Sequence, residues 1–533
     1  MKNRRGLSLP SRRRVLSTLA GTAAGALVPQ QLWSIDLESQ SVSAPTLPTP
    51  IRFEEIAARA GLNFTTRNCA TPNKNQIETM VAGVALLDYD GDGFLDVFLV
   101  NGAEIPFLQK TSSAYWNRLF RNNRDGSFTD VTEKAGVAGH GYGMGVAVGD
   151  YDNDGRPDIF VANVTGNQLL HNNGDGTFID VTTQANVGGV PHNGHKMWSV
   201  GAGWFDYNND GLLDLFVVNY CVWEVNQDPY CALKEGLRAY CHPNKYAPLH
   251  NTLYRNNGDG TFTDVSEETG IASAWGKGMS VSFADYDGDG YPDAFVANDT
   301  APNFHFHNLG GKKFEEVAVV AGVAYSSDGN ALSGMGSDFR DVDNDGRPDI
   351  WHTAVEHEDF PLYMNQGKGV FVDNTFPSGL GQLTNRMTGW SNGIYDFDND
   401  GWKDLFVARA NVMDNIQEAI PSQTYPEHNS VFRNLGNGKF AQADEQAGPD
   451  FLRVGAHRGV AFGDFDNDGR IDAVVTSLNE PVKLFHNITR NGHHWILLQL
   501  IGTKSNRMGL GAKVRITADD GRTQWNEATT AVG

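Results

Sequence analysis

Cysteine is scarce in this chain: four thiols in 533 residues, and no C-x-x-C pair. That excludes a disulfide-built scaffold and argues against a structural zinc site. Positive charge is also short. Lys and Arg number 42 against 64 Asp and Glu, a formal net charge of −22. A nucleic-acid partner is excluded on that balance, because phosphate contacts need clustered cations. No H-E-x-x-H, G-x-S-x-G or phosphate-loop motif is present, so no catalytic residue is assigned. The apolar run at 15–28 is short and rich in Gly and Ala. It does not make a membrane span, and none is expected once a signal is removed.

What the chain does have is glycine, 60 residues of it, with 40% apolar and 11% aromatic residues. This suits a packed β protein with many tight turns. The N-terminus carries Arg12-Arg13-Arg14 ahead of the apolar run, then Ala24-Gly25-Ala26. Residues 1–29 read as a twin-arginine signal peptide and 30–50 as a Ser/Thr/Pro-rich linker. The expected location is outside the cytoplasm: periplasmic, cell-surface or secreted.

One pattern, D-x-[DN]-x-D-G-x-x-D, occurs seven times, starting at Asp88, Asp150, Asp206, Asp285, Asp341, Asp396 and Asp464. Short runs rich in Val, Phe and Leu flank each copy and read as strands. A second unit follows each copy: an apolar run, a Gly turn and an alternating run, as in 119–132, which reads as a hairpin. Each repeat is therefore four strands. The array starts with a lone last strand at 51–57 and ends without one, so the N-terminal strand can complete the final repeat. The fold class is all-β: a seven-bladed β-propeller over 51–487, closed by the N-terminal strand, with a short β segment at 488–533. A linear solenoid is the alternative, but it is expected to carry caps instead of complementary halves.

Positions 1, 3, 5 and 9 of each loop place oxygen donors around one centre, and the glycine at position 6 allows the turn that gathers them. The expected ligands are Asp88, Asp90, Asp92 and Asp96; Asp150, Asp152, Asp154 and Asp158; and Asp206, Asn208, Asp210 and Asp214. The series continues with Asp285, Asp287, Asp289 and Asp293; Asp341, Asp343, Asp345 and Asp349; Asp396, Asp398, Asp400 and Asp404; and Asp464, Asp466, Asp468 and Asp472. Hard oxygen donors in this number suit Ca²⁺, at about seven sites. Position 12 holds no Glu, and the flanks are strands, so an EF-hand is excluded. These loops take 27 Asp, which leaves fewer acids than the 42 bases.

These loops and flanks resemble FG-GAP/VCBS-repeat propellers, the calcium-loop rings also seen in integrin α heads. Asn506-Arg507-Met508-Gly509-Leu510-Gly511 and Gly521-Arg522-Thr523-Gln524 resemble the opening of an ASPIC/UnbV domain, as in the cartilage acidic protein type. The match covers only part of that domain. The resemblance implies an extracytoplasmic binding or adhesion role, and supplies no reaction or ligand.

If the Asp loops hold calcium on one face, recognition is expected on the other, for an extracellular glycan or protein. The candidates are His140, Tyr142, His192, His195, Lys196, Trp198, Trp275, Lys277, Arg386, Trp390, His457 and Arg458, around the mouth of the channel. The alternative is a carbohydrate lyase or dehydratase on that face, drawing on His192, His195, His352, Glu356 and His357. The longest insert, 220–250, holds Cys221, Cys231 and Cys241, and Cys69 is the fourth. Three full pairings are open. Cys231–Cys241 is the preferred local bridge.

Overall fold

The computed structural model describes residues 50–189, 197–519 and 521–530. The signal peptide and all of the linker except Pro50 fall outside these residues, as do His192, His195 and Lys196.

Seven four-stranded antiparallel sheets form the blades. Blade 2 is typical. Its strands A to D are Gly143–Gly149, Asp158–Asn163, Gln168–Asn172 and Phe178–Asp180. Strand A, or in blade 5 the two residues before it, lines the central channel. It has to be narrow there: a Cβ on Gly145 would stand 2.4 Å from the Val200 carbonyl oxygen of the next blade. Strand B is sandwiched between neighbours, and all six residues of Asp158–Asn163 are buried. That is why it reads as a continuous apolar run and not as an alternation.

The ring closes as the sequence predicts. Phe53–Glu55 pairs antiparallel with Lys483–Asn487, so blade 7 takes its outermost strand from the N-terminus. Phe53 holds it in place. Its ring stacks on Phe451 at 5.5 Å and meets Phe397 and Phe406 of blade 6 edge-on. Blade contacts elsewhere are similarly aromatic. Phe205 of blade 3 lies 4.2 Å from Phe283 of blade 4, ring on ring.

The sequence reading gives no helices between blades, yet a single turn follows most D strands, for example Thr132–Ala135 and Ser266–Thr269. Each ends on a left-handed residue, Gly136 and Gly270 in these two. Local hydrogen bonding produces the turn: Asp130 Oδ1 accepts the Thr132 N–H at 3.0 Å. No helix among the described residues is long and apolar enough to cross a membrane.

Beyond blade 7, Lys513–Thr517 and Thr523–Glu527 form a hairpin. This segment lies across the Asp-loop ends of the blades. Lys513 Nζ reaches Asp285, the Lys403 ammonium donates to the Trp525 carbonyl at 2.8 Å, and the Arg507 N–H donates to Asn153 Oδ1 at 2.7 Å.

Candidate metal loops and the opposite face

The loops share one hydrogen-bond plan. At position 1, Oδ2 accepts the N–H of the position 6 glycine in all seven, at 2.7–3.2 Å. That glycine sits at φ between 86° and 92° in every loop, where a side chain would be strained. At position 5, Oδ1 accepts the position 7 N–H, at 2.9–3.0 Å.

Position 9 is a clasp as well as a candidate ligand. Its Oδ2 accepts the N–H of loop position 2, and its Oδ1 accepts the N–H of an asparagine at the end of strand C. Asp96 does this to Tyr89 and Asn122, and Asp472 to Phe465 and Asn487. The other five do the same.

The strand C asparagines were not read from the sequence as functional, and they staple the ring. Each Nδ2 donates to the position 2 carbonyl of the preceding blade: Asn122 to Phe465, Asn172 to Tyr89, Asn256 to Tyr151 and Asn308 to Tyr207. Asn365, Asn434 and Asn487 complete the circle on Tyr286, Val342 and Phe397. All seven contacts measure 2.8–3.0 Å. The signal was available: an Asn recurs after each loop at the end of the run that follows it.

The donor set fits a divalent cation. Carboxylate oxygens of Asp88, Asp90 and Asp96 lie within 4.8 Å of one another, as do those of Asp150, Asp152 and Asp154, and those of Asp285, Asp287 and Asp289. The more deeply buried of the loop acids hold their protons more tightly than free carboxylates. Burial, with neighbouring Asp charges adding to it, pushes Asp96 and Asp472 up to about 8 and Asp396 to about 7. Burial also raises Asp293 to about 7 and Asp150 and Asp206 to about 6. A bound cation would reverse that penalty.

The loops are not identical. The residue before the strand C asparagine faces the loop, and in blades 2, 4 and 7 it is a histidine. His171 Nδ1 is 3.1 Å from Asp158, His307 Nδ1 is 3.2 Å from Asp293, and His486 Nε2 is 3.1 Å from Asp466. In blade 6 it is Arg433, which spans Asp398 and Asp400 at 2.7 Å each. Blade 4 also receives Lys513, 3.0 Å from Asp285. Side-chain cations thus already reach several loops, and Arg124 pairs with Asp92 in blade 1 at 2.7 Å. Arg156, Arg347 and Arg470 pair with the position 5 carboxylates of blades 2, 5 and 7.

The opposite face is built from inserts, and it corrects the expectation of an open ring of aromatic and basic groups. Tyr142 and Trp198 are buried in a central apolar layer with Ile77, Val81, Tyr220 and Trp223. His457 is buried against Ser477 Oγ at 2.8 Å. Lys277 is buried too. Arg458 is 1% exposed, stacked 3.9 Å from the Trp390 ring, and its guanidinium donates to the carbonyls of Thr79, His457 and Asn411. Arg458 and Trp390 line the channel, and Trp390 also borders the cavity beyond it. Trp275 is half exposed against His250, His140 is exposed near Asp180, and Arg386 is exposed. His352, a candidate for chemistry, is fully buried, and burial lowers it to about 4. It does not join Glu356 and His357 at the surface.

The 220–250 insert contains a hairpin, Cys231–Lys234 with Leu237–Ala239, and the Cys231–Cys241 bridge, with Cα atoms 5.2 Å apart. Cys69 and Cys221 are free thiols.

A family model described as FG-GAP-like repeat matches residues 88–161, 150–217, 244–296, 285–352 and 396–475, together more than half of the chain. Cartilage acidic protein 1 of Xenopus tropicalis is 26% identical over 349 residues, 62% of this chain and 48% of that protein. The Mus musculus protein is 26% identical over 452 residues, 81% of this chain and 63% of its own length. The chain spans about half to two-thirds of these relatives. A solved structure of an Agrocybe aegerita lectin specific for non-reducing terminal N-acetylglucosamine covers 79% of this chain and 94% of its own. It has 17% identity and a TM-score of 0.41, and carries no argument.

Proposed function

Because the chain belongs to the FG-GAP-like repeat family, we propose that it is an exported binding module, a β-propeller stiffened by calcium that recognises a glycan or protein on the face opposite its Asp loops. The observation that carries this reading is the sevenfold plan of the loops. Each joins its own strands B and C through position 9 and lies beside the asparagine staple to the preceding blade. A cation held there would brace every blade junction at once. The residues to hold it are positions 1, 3, 5 and 9 of each loop, and the ion would supply charge neutralisation. At tenfold excess over its dissociation constant a site adds about 1.4 kcal/mol to the folded state.

Export rests on the twin-arginine pattern at the N-terminus. Recognition on the opposite face is supported by where the C-terminal segment lies. Its described residues contact the Asp-loop face, and none of them lines the cavity on the insert face.

A glycan array probed with the purified chain, with calcium and after chelation, tests the reading. Binding is expected only with calcium, and Val412→Trp, which crowds the insert-face cavity, is expected to block it. Binding unchanged by chelation contradicts the role of calcium. Binding unchanged in Val412→Trp contradicts the site.

A further inference from the structure

Where the inserts meet above the channel they leave a cavity of about 240 Å³. Its apolar wall includes four methionines, Met80, Met279, Met335 and Met413, and the Trp390 indole, with Val355 and Val412 beside them. Its polar lining includes an unpartnered acceptor and two carboxylates. Gln76 is 2% exposed, and its Oε1 has no hydrogen-bond partner among the described residues. Asp299 is 7% exposed; the Tyr220 hydroxyl donates to its Oδ2 at 2.6 Å, and Lys277, buried nearby, offsets part of its charge. Glu356 adds a second carboxylate to the lining.

Several donors around the cavity are already committed. Trp390 Nε1 donates to the Ala410 carbonyl at 2.8 Å, Thr79 Oγ1 to the Gln76 carbonyl at 2.9 Å, and Thr300 Oγ1 to Asn244 Oδ1 at 3.1 Å. Arg458 stacks on Trp390 but gives its guanidinium to backbone carbonyls.

We propose that this cavity binds a small organic cation, a primary ammonium on an alkyl chain, either free or at the end of a lysine side chain. An ammonium brings three donors and no acceptor, which answers the lining. Its chain lies against thioethers and an indole, surfaces that suit an alkyl group bearing positive charge. A neutral sugar brings no charge to set against the two carboxylates, and an anion is repelled by them. The inference rests on reading the insert face as the recognition surface, and it narrows the ligand of that face.

Isothermal titration of the full, calcium-supplied chain with n-pentylammonium, 1-pentanol and hexanoate tests it, since the three carry the same pentyl chain and differ in head group alone. Pentylammonium is expected to bind at least about tenfold more tightly than the others, a difference of about 1.4 kcal/mol. Glu356→Gln is expected to weaken it about tenfold, and Glu356→Lys, which supplies its own ammonium, to abolish it. Equal binding of the three probes, no binding of pentylammonium, or undiminished binding by Glu356→Lys overturns the proposal. Nα-acetyl-lysine methylamide separates the sources: binding as tight as pentylammonium assigns the site to a protein side chain, and binding by pentylammonium alone assigns it to a free amine. A neutral glycan that binds and is blocked by Val412→Trp, with pentylammonium inert, overturns the cation and leaves the proposed function standing.

Discussion

On one face of this ring the same nine-residue pattern recurs seven times. On the other, the connections from strand B to strand C run from four residues after Asn163 to 32 after Asn219. The first face is held by backbone donors on fixed carboxylates, repeated blade after blade. The second is held by a single apolar layer gathered from unrelated segments, with Ile77, Trp198, Tyr220, Trp390 and Leu478 in contact. Repetition makes the first face a stabilising device. Irregularity makes the second face the place proposed for recognition.

If that contrast is right, the largest losses of stability come from the repeated face. Asp293→Ala removes the acceptor for the Tyr286 and Asn308 N–H groups together. It is expected to cost about 4 kcal/mol, at about 1–3 kcal/mol per orphaned group. Asn308→Ala leaves the Tyr207 and Pro292 carbonyls without their donor and is expected to cost about 3 kcal/mol by the same reasoning. Denaturant titration reads both. On the insert face, Glu356→Gln and Arg386→Ala are expected to stay within about 0.5 kcal/mol. A loss at Glu356 equal to that at Asn308 would erase the distinction.

The pH response sharpens it further. Asp96 and Asp472 are raised to about 8, and Asp293 and Asp396 to about 7, against about 3.9 in an unfolded chain. Between pH 4 and 8 the metal-free folded state therefore binds more protons than the unfolded one, and its stability falls as pH rises through that window. Metal-free protein should melt higher at pH 5 than at pH 8. Saturating calcium should shrink or reverse the difference, because binding releases those protons. Titrations at pH 7 in two buffers of different ionisation enthalpy would register the release.

Legibility followed the same division. The blade count, the closure through Phe53–Glu55 and the candidate ligand positions were readable because seven copies state them seven times. The strand C asparagines stood in those copies too, but their partner is the preceding blade's position 2 carbonyl, and a backbone group leaves no mark in sequence. Arg433 and Lys513 were missed because they reach their loops from another strand and from the C-terminal hairpin. Tyr142, Trp198 and Arg458 looked like a ligand ring because they fall in connections, where polar and aromatic side chains usually meet solvent. Packing across inserts buried them, and no local pattern encodes that.

The central claim is that cations in the Asp loops brace the ring. The most direct measurement is the melting temperature of the purified chain before and after chelation, with metal content determined on the same samples. The account predicts several calcium ions per chain, a fall of many degrees when they are removed, and recovery when calcium is restored. A chain shown to be free of metal that melts at an unchanged temperature would contradict it.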